Sequence, residues 1–315
     1  MYSNFQFSSD NKRYHTFNYF LRNKFNCKVF KVSLNAGFSC PNRDGTKSFG
    51  GCSFCSENLS GDFAGNPQEN IETQFDNIRS KMHEKWHDGC YIAYFQAGTN
   101  TYAPVDVLRK MYYSALEQKG VVGLSIATRP DCLSDEICDL LQEISQKTYL
   151  VVELGLQTIH DETSVLTNRC HSYQDFLDGY EMLSSRGINI CVHIINGLPY
   201  ETHDMMISTA RAVAKLKPHC VKIHLLHIIR GTRMHKLFET GAFKELSLDE
   251  YVSIVCDQLE LFPPQTVIQR LTGDGEKQSL VAPLWSLKKF CVINEIDKEM
   301  LRRNTFQGSH YNTMD

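Results

Sequence analysis

Cys40-Pro41-Asn42-Arg43-Asp44-Gly45-Thr46-Lys47-Ser48-Phe49-Gly50-Gly51-Cys52-Ser53-Phe54-Cys55 places three cysteines at C-x11-C-x2-C spacing. An apolar run, Val29 to Phe38, precedes them and reads as a strand. Pro41, Gly45, Gly50 and Gly51 let the loop backbone wrap closely around a ligand. Thiolates are the usual protein ligands of iron–sulfur clusters, and three of them leave one iron of a four-iron cluster open to a substrate or cofactor. Two other readings stay open from the loop alone. Cys52 and Cys55 form a C-x-x-C that also suits a redox dithiol or half a zinc site. Zinc needs a fourth ligand, and His83 and His87 are available only in a charged helical stretch.

Working outward, strands and helices alternate. Cys90–Phe95, Val121–Ala127, Tyr149–Leu156, Ile188–Ile195 and Val221–Ile229 read as strands. Helical patterns run over Pro67–Trp86, Ala103–Lys119, Asp135–Gln146, Asp161–Leu166, Tyr173–Arg186 and Thr202–Lys217, with Ser134 as the N-cap of the third. Six strands, each followed by a helix or long loop, predict a parallel sheet buried on both faces. The fold class is α/β. An incomplete (β/α)6 barrel and an open doubly wound sheet both fit, and either places active residues at the C-terminal strand ends. Cys40, Gln96, Thr128, Arg129, Glu153, Gln157, Asn196 and Arg230 are expected there, facing one cavity.

Residues 1–28 read as a basic, aromatic N-terminal helix, 29–245 as the barrel core and 246–315 as a C-terminal helical extension of the same folding unit. That extension includes a helix over Leu248–Phe262, a short strand and turn from Val267, and a helix over Trp285–Arg303. From Asn11 to Arg43 there are seven Lys or Arg and no acidic residue, with aromatics interleaved. The aromatics suit burial on one helix face, and the charges suit a nucleic-acid backbone. Formal net charge is -3, so nucleic-acid binding must rest on such a local patch. No run approaches a transmembrane span, and the first residues lack the apolar core of a signal peptide. A cytoplasmic, reducing location is expected for the twelve cysteines. Nine of them are scattered singly and read as small buried hydrophobes. His193 and His224, inside apolar strands, read as satisfied core histidines.

The cysteine loop resembles that of the radical S-adenosylmethionine (radical SAM) enzymes. The phrases KVSLNAGFSCPNRDG, GGCSFC, ATRPD, VELGLQT, NRCH, HIINGLPYET, IIRGT and QRLTGDG, in order along nearly the whole chain, resemble the radical SAM subgroup related to the catalytic subunit of Elongator. Within it they are most like the YhcC/YtqA-type bacterial proteins. The resemblance implies a partial (β/α)6 radical SAM barrel, a [4Fe-4S] cluster on Cys40, Cys52 and Cys55, and S-adenosylmethionine (SAM) on the open iron. One-electron cleavage of SAM then gives methionine and a 5′-deoxyadenosyl radical that takes a hydrogen atom from the substrate. Carried over residue by residue, Phe54 packs near the adenine. Gln96 and Gly98 stand where the family approaches the methionine ammonium, without its usual Glu. Thr128 joins the cofactor-binding set. Glu153 and Gln157 serve the ribose and its neighbours, Arg169 pairs with the methionine carboxylate, and Gly197 lies against the adenine. Relatives often carry Gly where Cys170 stands. The resemblance further implies tRNA as partner through its anticodon region, with maturation of the wobble-uridine C5 side chain from carboxymethylaminomethyl to aminomethyl. Lys288, Lys289, Arg302 and Arg303 are expected to add to the basic patch. An electron donor such as flavodoxin or ferredoxin is implied. The competing functions are radical chemistry on a small molecule or protein, and a non-catalytic iron–sulfur protein.

Overall fold

The computed structural model describes residues 5–59, 61–83 and 89–311. His87 and Trp86, and the end of the helix expected to Trp86, lie outside them. The chain begins with α1 (Phe17–Phe25), β1 (Val29–Leu34), α2 (Ile71–His83), β2 (Cys90–Phe95), α3 (Val105–Leu116) and β3 (Val121–Thr128). It continues with α4 (Asp135–Lys147), β4 (Tyr149–Gln157), α5 (Asp161–Leu166), α6 (Tyr173–Ser184), β5 (Asn189–Asn196), α7 (His203–Lys215) and β6 (Cys220–Leu225). The last part holds β7 (Ile228–Ile229), α8 (Arg233–Glu239), α9 (Leu248–Leu261), β8 (Val267–Arg270), β9 (Leu280–Ala282) and α10 (Lys289–Arg302). The expected strand Val221–Ile229 is thus two, and β7 leaves the main sheet to pair antiparallel with β9.

The main sheet has seven parallel strands in the order β1-β2-β3-β4-β5-β6-β8. The short strand near Val267 takes the seventh place, so the segment after residue 245 adds to the sheet as well as packing helices on it. Laid flat, β1 and β8 would stand about 29 Å apart at six strand spacings. Lys31 on β1 instead donates to Gln269 Oε1 on β8 at 3.0 Å. The sheet is therefore curled into a half-barrel. Thr16 forms a parallel bridge with Ile268, so the chain just before α1 covers the free edge of β8.

The curl separates two faces. Outward positions Leu124, Ile126, Val152, Leu154, Val192, Ile194, Val221 and Ile223 pack under the helices in the main core. Each such side chain contributes roughly 1.5–3 kcal/mol relative to exposure. Their period-two neighbours Ser125, Glu153, His193, Lys222 and His224 point inward. The strands are thus not apolar on both faces, as the runs of Val, Ile and Leu suggested. Helix starts follow local chemistry: Ser134 Oγ accepts from the Ile137 amide at 3.3 Å, and Ser172 and Ser247 each form a capping box, with Asp175 and Glu250.

Helix α1 seals the lower mouth of the barrel. Leu21, Phe17, Phe20 and Phe25 pack with Ile92, Tyr149, Val151, Cys191, Cys220 and Val267 at the N-terminal ends of the strands. Burial of the aromatics follows the sequence reading, while several of the cations are engaged by the chain itself and Arg22 and Lys24 remain exposed. Lys12 pairs with Asp297, Arg13 lies 4.6 Å over the Phe306 ring, Lys24 lies 5.2 Å over Tyr149, and Lys31 enters the barrel to meet Glu153. Likewise Lys289 pairs with Asp274, Arg302 with Glu299 and Arg303 with Asp257. Lys12 and Lys31 turn inward to buried or half-buried carboxylates, whereas Lys24 and Arg302 stay exposed. Among the described residues, no helix is long and apolar enough to cross a membrane.

All twelve cysteines are free thiols. The scattered ones are less solitary than their spacing implied. Cys27 and Cys90 lie 2.7 Å apart at Sγ, and Cys191 faces Cys220 across the β5–β6 ladder.

Candidate active site

The loop after β1 folds on itself through Arg43 N to Cys40 O (2.8 Å), Lys47 N to Pro41 O (2.8 Å) and Gly51 N to Asn42 O (2.7 Å). Gly51 has φ 74°, and a Cβ there would meet Arg43 Nε at 2.8 Å, so only glycine fits. Neighbouring elements bracket the loop. Asn42 Nδ2 donates to Asn168 O at 2.5 Å, Asn168 Nδ2 returns a bond to Gly51 O at 2.8 Å, and Ser53 N donates to Thr167 O at 2.8 Å. Met234 N at the start of α8 donates to Ser53 O at 2.9 Å, and Lys47 reaches Asp131 at 2.6 Å. Arg43 donates to the carbonyls of Cys55, Ser56 and Glu57.

This framing puts Cys40, Cys52 and Cys55 on the wall of one cavity of about 750 Å3. Phe54, Gln96, Gly98, Thr128, Glu153, Gln157 and Arg169 line it too, as does Arg129. Three expected residues do not. Asn196 turns outward to Gln258 on α9 at 2.9 Å, Arg230 is exposed on the β7 turn, and Gly197 packs against Leu246 and Leu226. Strand period explains Asn196, since Ile195 takes the inward position. Gly98 has φ 77°, and a Cβ there would meet Phe38 O at 2.3 Å, which brings β2's turn against the approach to the cysteine loop. Thr128 shares a 2.6 Å hydrogen bond with Thr101. Phe54 joins an apolar cluster with Leu198, Leu226, Ile228 and Met234.

Two arginines surround the thiols. Arg129 forms a fork on Asp131 through Nε (2.9 Å) and Nη2 (2.8 Å), leaving its Nη1 buried without a partner. Burial pushes the Asp131 carboxyl up, but the Arg129 hydrogen bonds and charge outweigh it and hold it at about 2. Arg169 donates to Gly155 O at 2.6 Å and to Cys52 Sγ at 3.5 Å, and its Nε is buried and unpartnered. Asn168 (φ 54°) and Cys170 (φ 57°), both left-handed, flank Arg169 and aim it inward. His171 is neutral, because burial and the charges of Arg169 and Arg129 push it down to about 3.

The donor set fits an iron–sulfur cluster. Three free thiols share one cavity wall with guanidinium groups that carry unused N–H donors, which suits an anionic thiolate cluster and a carboxylate beside it. Among the described residues, no three His, Cys, Asp or Glu side chains are gathered for a single metal ion.

Glu153 differs from its expected place at the strand end. It lies in the middle of β4, four residues before Gln157, or about 13 Å deeper. Both its oxygens are taken: Lys31 (2.6 Å), Ser125 (2.5 Å), His193 (2.9 Å) and Lys222 all donate to it. Burial would raise its pKa, but Lys222 and Lys31 hold it well below the carboxylate range. Burial pushes Lys222 down to about 8 against the pull of Glu153. Burial and Lys222 push His193 down to about 4, so it is neutral. Tyr94 OH accepts from Lys222 at 3.3 Å. Sequence reasoning missed Lys222, Tyr94 and Arg270 as cavity groups, and Lys31 as a partner of Glu153. The available signal was a charged residue at alternate positions of otherwise apolar strands.

Comparison with known proteins agrees with this geometry. Residues 40–213 match the radical SAM superfamily, and residues 218–302 match the radical SAM C-terminal domain. The Bacillus subtilis protein YtqA is 53% identical over 99% of this chain and 97% of its own length. Elongator complex protein 3 of Dictyostelium discoideum is 27% identical over 54% of this chain, which spans 30% of that protein. The solved structure of the Methanocaldococcus infernus Elp3 with an N-terminal deletion shares the fold, with TM-score 0.68 at 19% identity, over 90% of this chain and 67% of that one. The thiol loop, the half-barrel and these matches agree: the chain belongs to the radical SAM superfamily, in its Elongator-related branch, and its cofactors are a [4Fe-4S] cluster and SAM.

Proposed function

We propose that this radical SAM enzyme acts on tRNA at the wobble uridine, trimming a carboxymethylaminomethyl group at C5 to aminomethyl. The observation that carries the reading is one cavity running from the three thiols to a polar floor, in a chain of the Elongator-related branch. When bound, the cluster and SAM supply a 5′-deoxyadenosyl radical that abstracts a hydrogen atom from the substrate. The chain's own residues do the positioning. Cys40, Cys52 and Cys55 hold the cluster, and Arg169, with its buried free Nε, takes the methionine carboxylate. Gln96, Gly98, Thr128 and Gln157 line the cofactor face, and Phe54 offers an apolar wall beside the adenine. A base splayed out of the anticodon enters beside them. Phe63, 56% exposed on the cavity wall, offers a ring for stacking. Loss of a hydrogen atom from the carbon between amine and carboxylate, followed by return of one electron to the cluster, would leave an iminium that water hydrolyses to the aminomethyl group and glyoxylate. Flavodoxin or ferredoxin is the proposed electron donor, and the cytoplasm the proposed compartment.

The inward turn of the N-terminal cations favours a second reading, a small-molecule or protein substrate with the same chemistry. The test uses anaerobically reconstituted, dithionite-reduced enzyme with SAM and tRNA from a strain lacking this protein, followed by nucleoside mass analysis. Formation of 5′-deoxyadenosine with conversion of the wobble nucleoside supports the tRNA reading. Cleavage of SAM with unchanged tRNA selects the second.

A further inference from the structure

Below the cofactor face, the wall formed by β6 and β8 carries more positive charge than the chain balances. Lys222 and Arg270 are neighbours across the β6–β8 ladder, and His224 stands one pleat above Lys222 on the same face. All three line the cavity. Lys31 and Lys222 share one carboxylate, Glu153, and Arg270 and Lys289 share another, Asp274, at 2.8 and 2.7 Å. Each triad therefore keeps one uncompensated positive charge. The histidines add none: burial pushes His224 well below its usual range and His227 down to about 4. Lys222 and Glu153 are buried, and unmatched charge there is costly unless a counter-ion arrives, whereas the Arg270 group is partly open to solvent.

Donors remain to meet one. Lys222 spends two of its three N–H groups, on Tyr94 and Glu153. Arg270 bonds Asp274 through Nη2 alone, and His224 Nε2 is buried with no partner. We infer that Lys222, Arg270 and His224 form a subsite for a carboxylate carried by the substrate. Lys222 is buried three residues inside the end of β6, and Arg270 closes β8 beside it at a partly exposed position, so a carboxylate at the tip of a side chain can be met between the buried and the exposed cation. On the tRNA reading, on which this identification rests, the ligand is the carboxylate of the carboxymethylaminomethyl group, and the subsite makes the enzyme selective for the untrimmed side chain.

The test measures equilibrium binding to the reconstituted holoenzyme with SAM and no reductant, so that nothing turns over. The probes are two anticodon stem-loops, one with 5-carboxymethylaminomethyluridine and one with 5-methylaminomethyluridine. The wild type is expected to prefer the carboxylate by about ten- to a hundredfold, as for hydrogen bonds to charged groups. Arg270→Gln, at a partly exposed position that leaves the fold intact, brings the ratio near one, and Arg270→Lys restores part of it. Lys222→Met, checked for folding by circular dichroism, behaves as Arg270→Gln does. Affinity for the stem-loop that lacks the carboxylate and for SAM stays constant in each. A wild-type ratio near one overturns the inference. So does a ratio that survives both substitutions while SAM binding falls, since the cations then serve the cofactor. If neither stem-loop binds, the tRNA reading fails by itself. N-benzylglycine against N-methylbenzylamine then decides the subsite: a carboxylate preference abolished by Arg270→Gln sustains it, and no preference overturns it.

Discussion

The two ends of the barrel interior are built in opposite ways. The upper end, at the cysteine loop, is a short contiguous stretch shaped by left-handed glycines and held by backbone bonds to Thr167 and α8 and by the side-chain amides of Asn42 and Asn168. The lower end is a layer of single side chains, one or two from each strand of the main sheet, closed beneath by α1. Loops can wrap a cofactor because their backbone is free to turn toward it. Strands fix side chains at a set depth, which suits recognition of one particular group. Changes above should therefore cost chemistry, and changes below should cost stability and selectivity.

The largest expected effect tests the upper end. Cys52→Ala should abolish iron loading and SAM cleavage, measured by iron content and 5′-deoxyadenosine, while urea unfolding of the apo-protein moves little. Next comes the floor. Glu153→Gln strands Lys31 and Lys222 without their counter-charge and should cost about 3–5 kcal/mol in urea unfolding. Iron loading per folded molecule should stay normal, and a large loss there would merge the two regions. Leu21→Ala should cost about 2–4 kcal/mol by opening the seal under the floor. A smaller cost would mean that α1 is merely laid on the barrel.

A pH series sharpens the comparison further. Lys222 is charged below about 8 and neutral above, because burial lowers its pKa from the ordinary lysine value. Anion binding by Lys222 is thus present below that point and lost as pH rises through it. Glu153, Lys31, Arg270, Tyr94, His193 and Cys191 surround it, and Glu153, held well below the carboxylate range, keeps its charge through this window. Carboxylate preference should fall above about pH 8, while SAM affinity stays flat. The smallest effect belongs to the arginine loop. Cys170→Gly relieves a left-handed thiol residue and should stabilise by up to about 1 kcal/mol, read as a rise in thermal midpoint.

The same contrast explains what the sequence could convey. Cys40, Cys52, Cys55 and Phe54 are legible because the loop keeps them adjacent, and the strand–helix alternation was legible because outward positions such as Val152 and Ile194 are apolar. Glu153 was noticed but placed at the rim, since a strand's last residue is known only from the turn that follows it. Gln157 holds φ 76° and ends the strand four residues later. Lys31 reads with the N-terminal cations, although its position on β1 turns it inward, where it reaches Gln269 across the barrel. Arg270 and Lys222 meet only because β8 joins the sheet beside β6, a pairing no local pattern announces. Asn196 and Arg230 were expected in the cavity and fall outside it, because one residue of register reverses the face.

The most direct measurement of the central claim compares wild type and Cys40→Ala after anaerobic reconstitution. Electron paramagnetic resonance of the reduced protein, with and without SAM, is combined with assay of 5′-deoxyadenosine. The account predicts a four-iron signal in the wild type that SAM perturbs, with SAM cleavage, and neither in Cys40→Ala. A fully loaded wild-type cluster that ignores SAM, or cleavage that persists in Cys40→Ala, would contradict it.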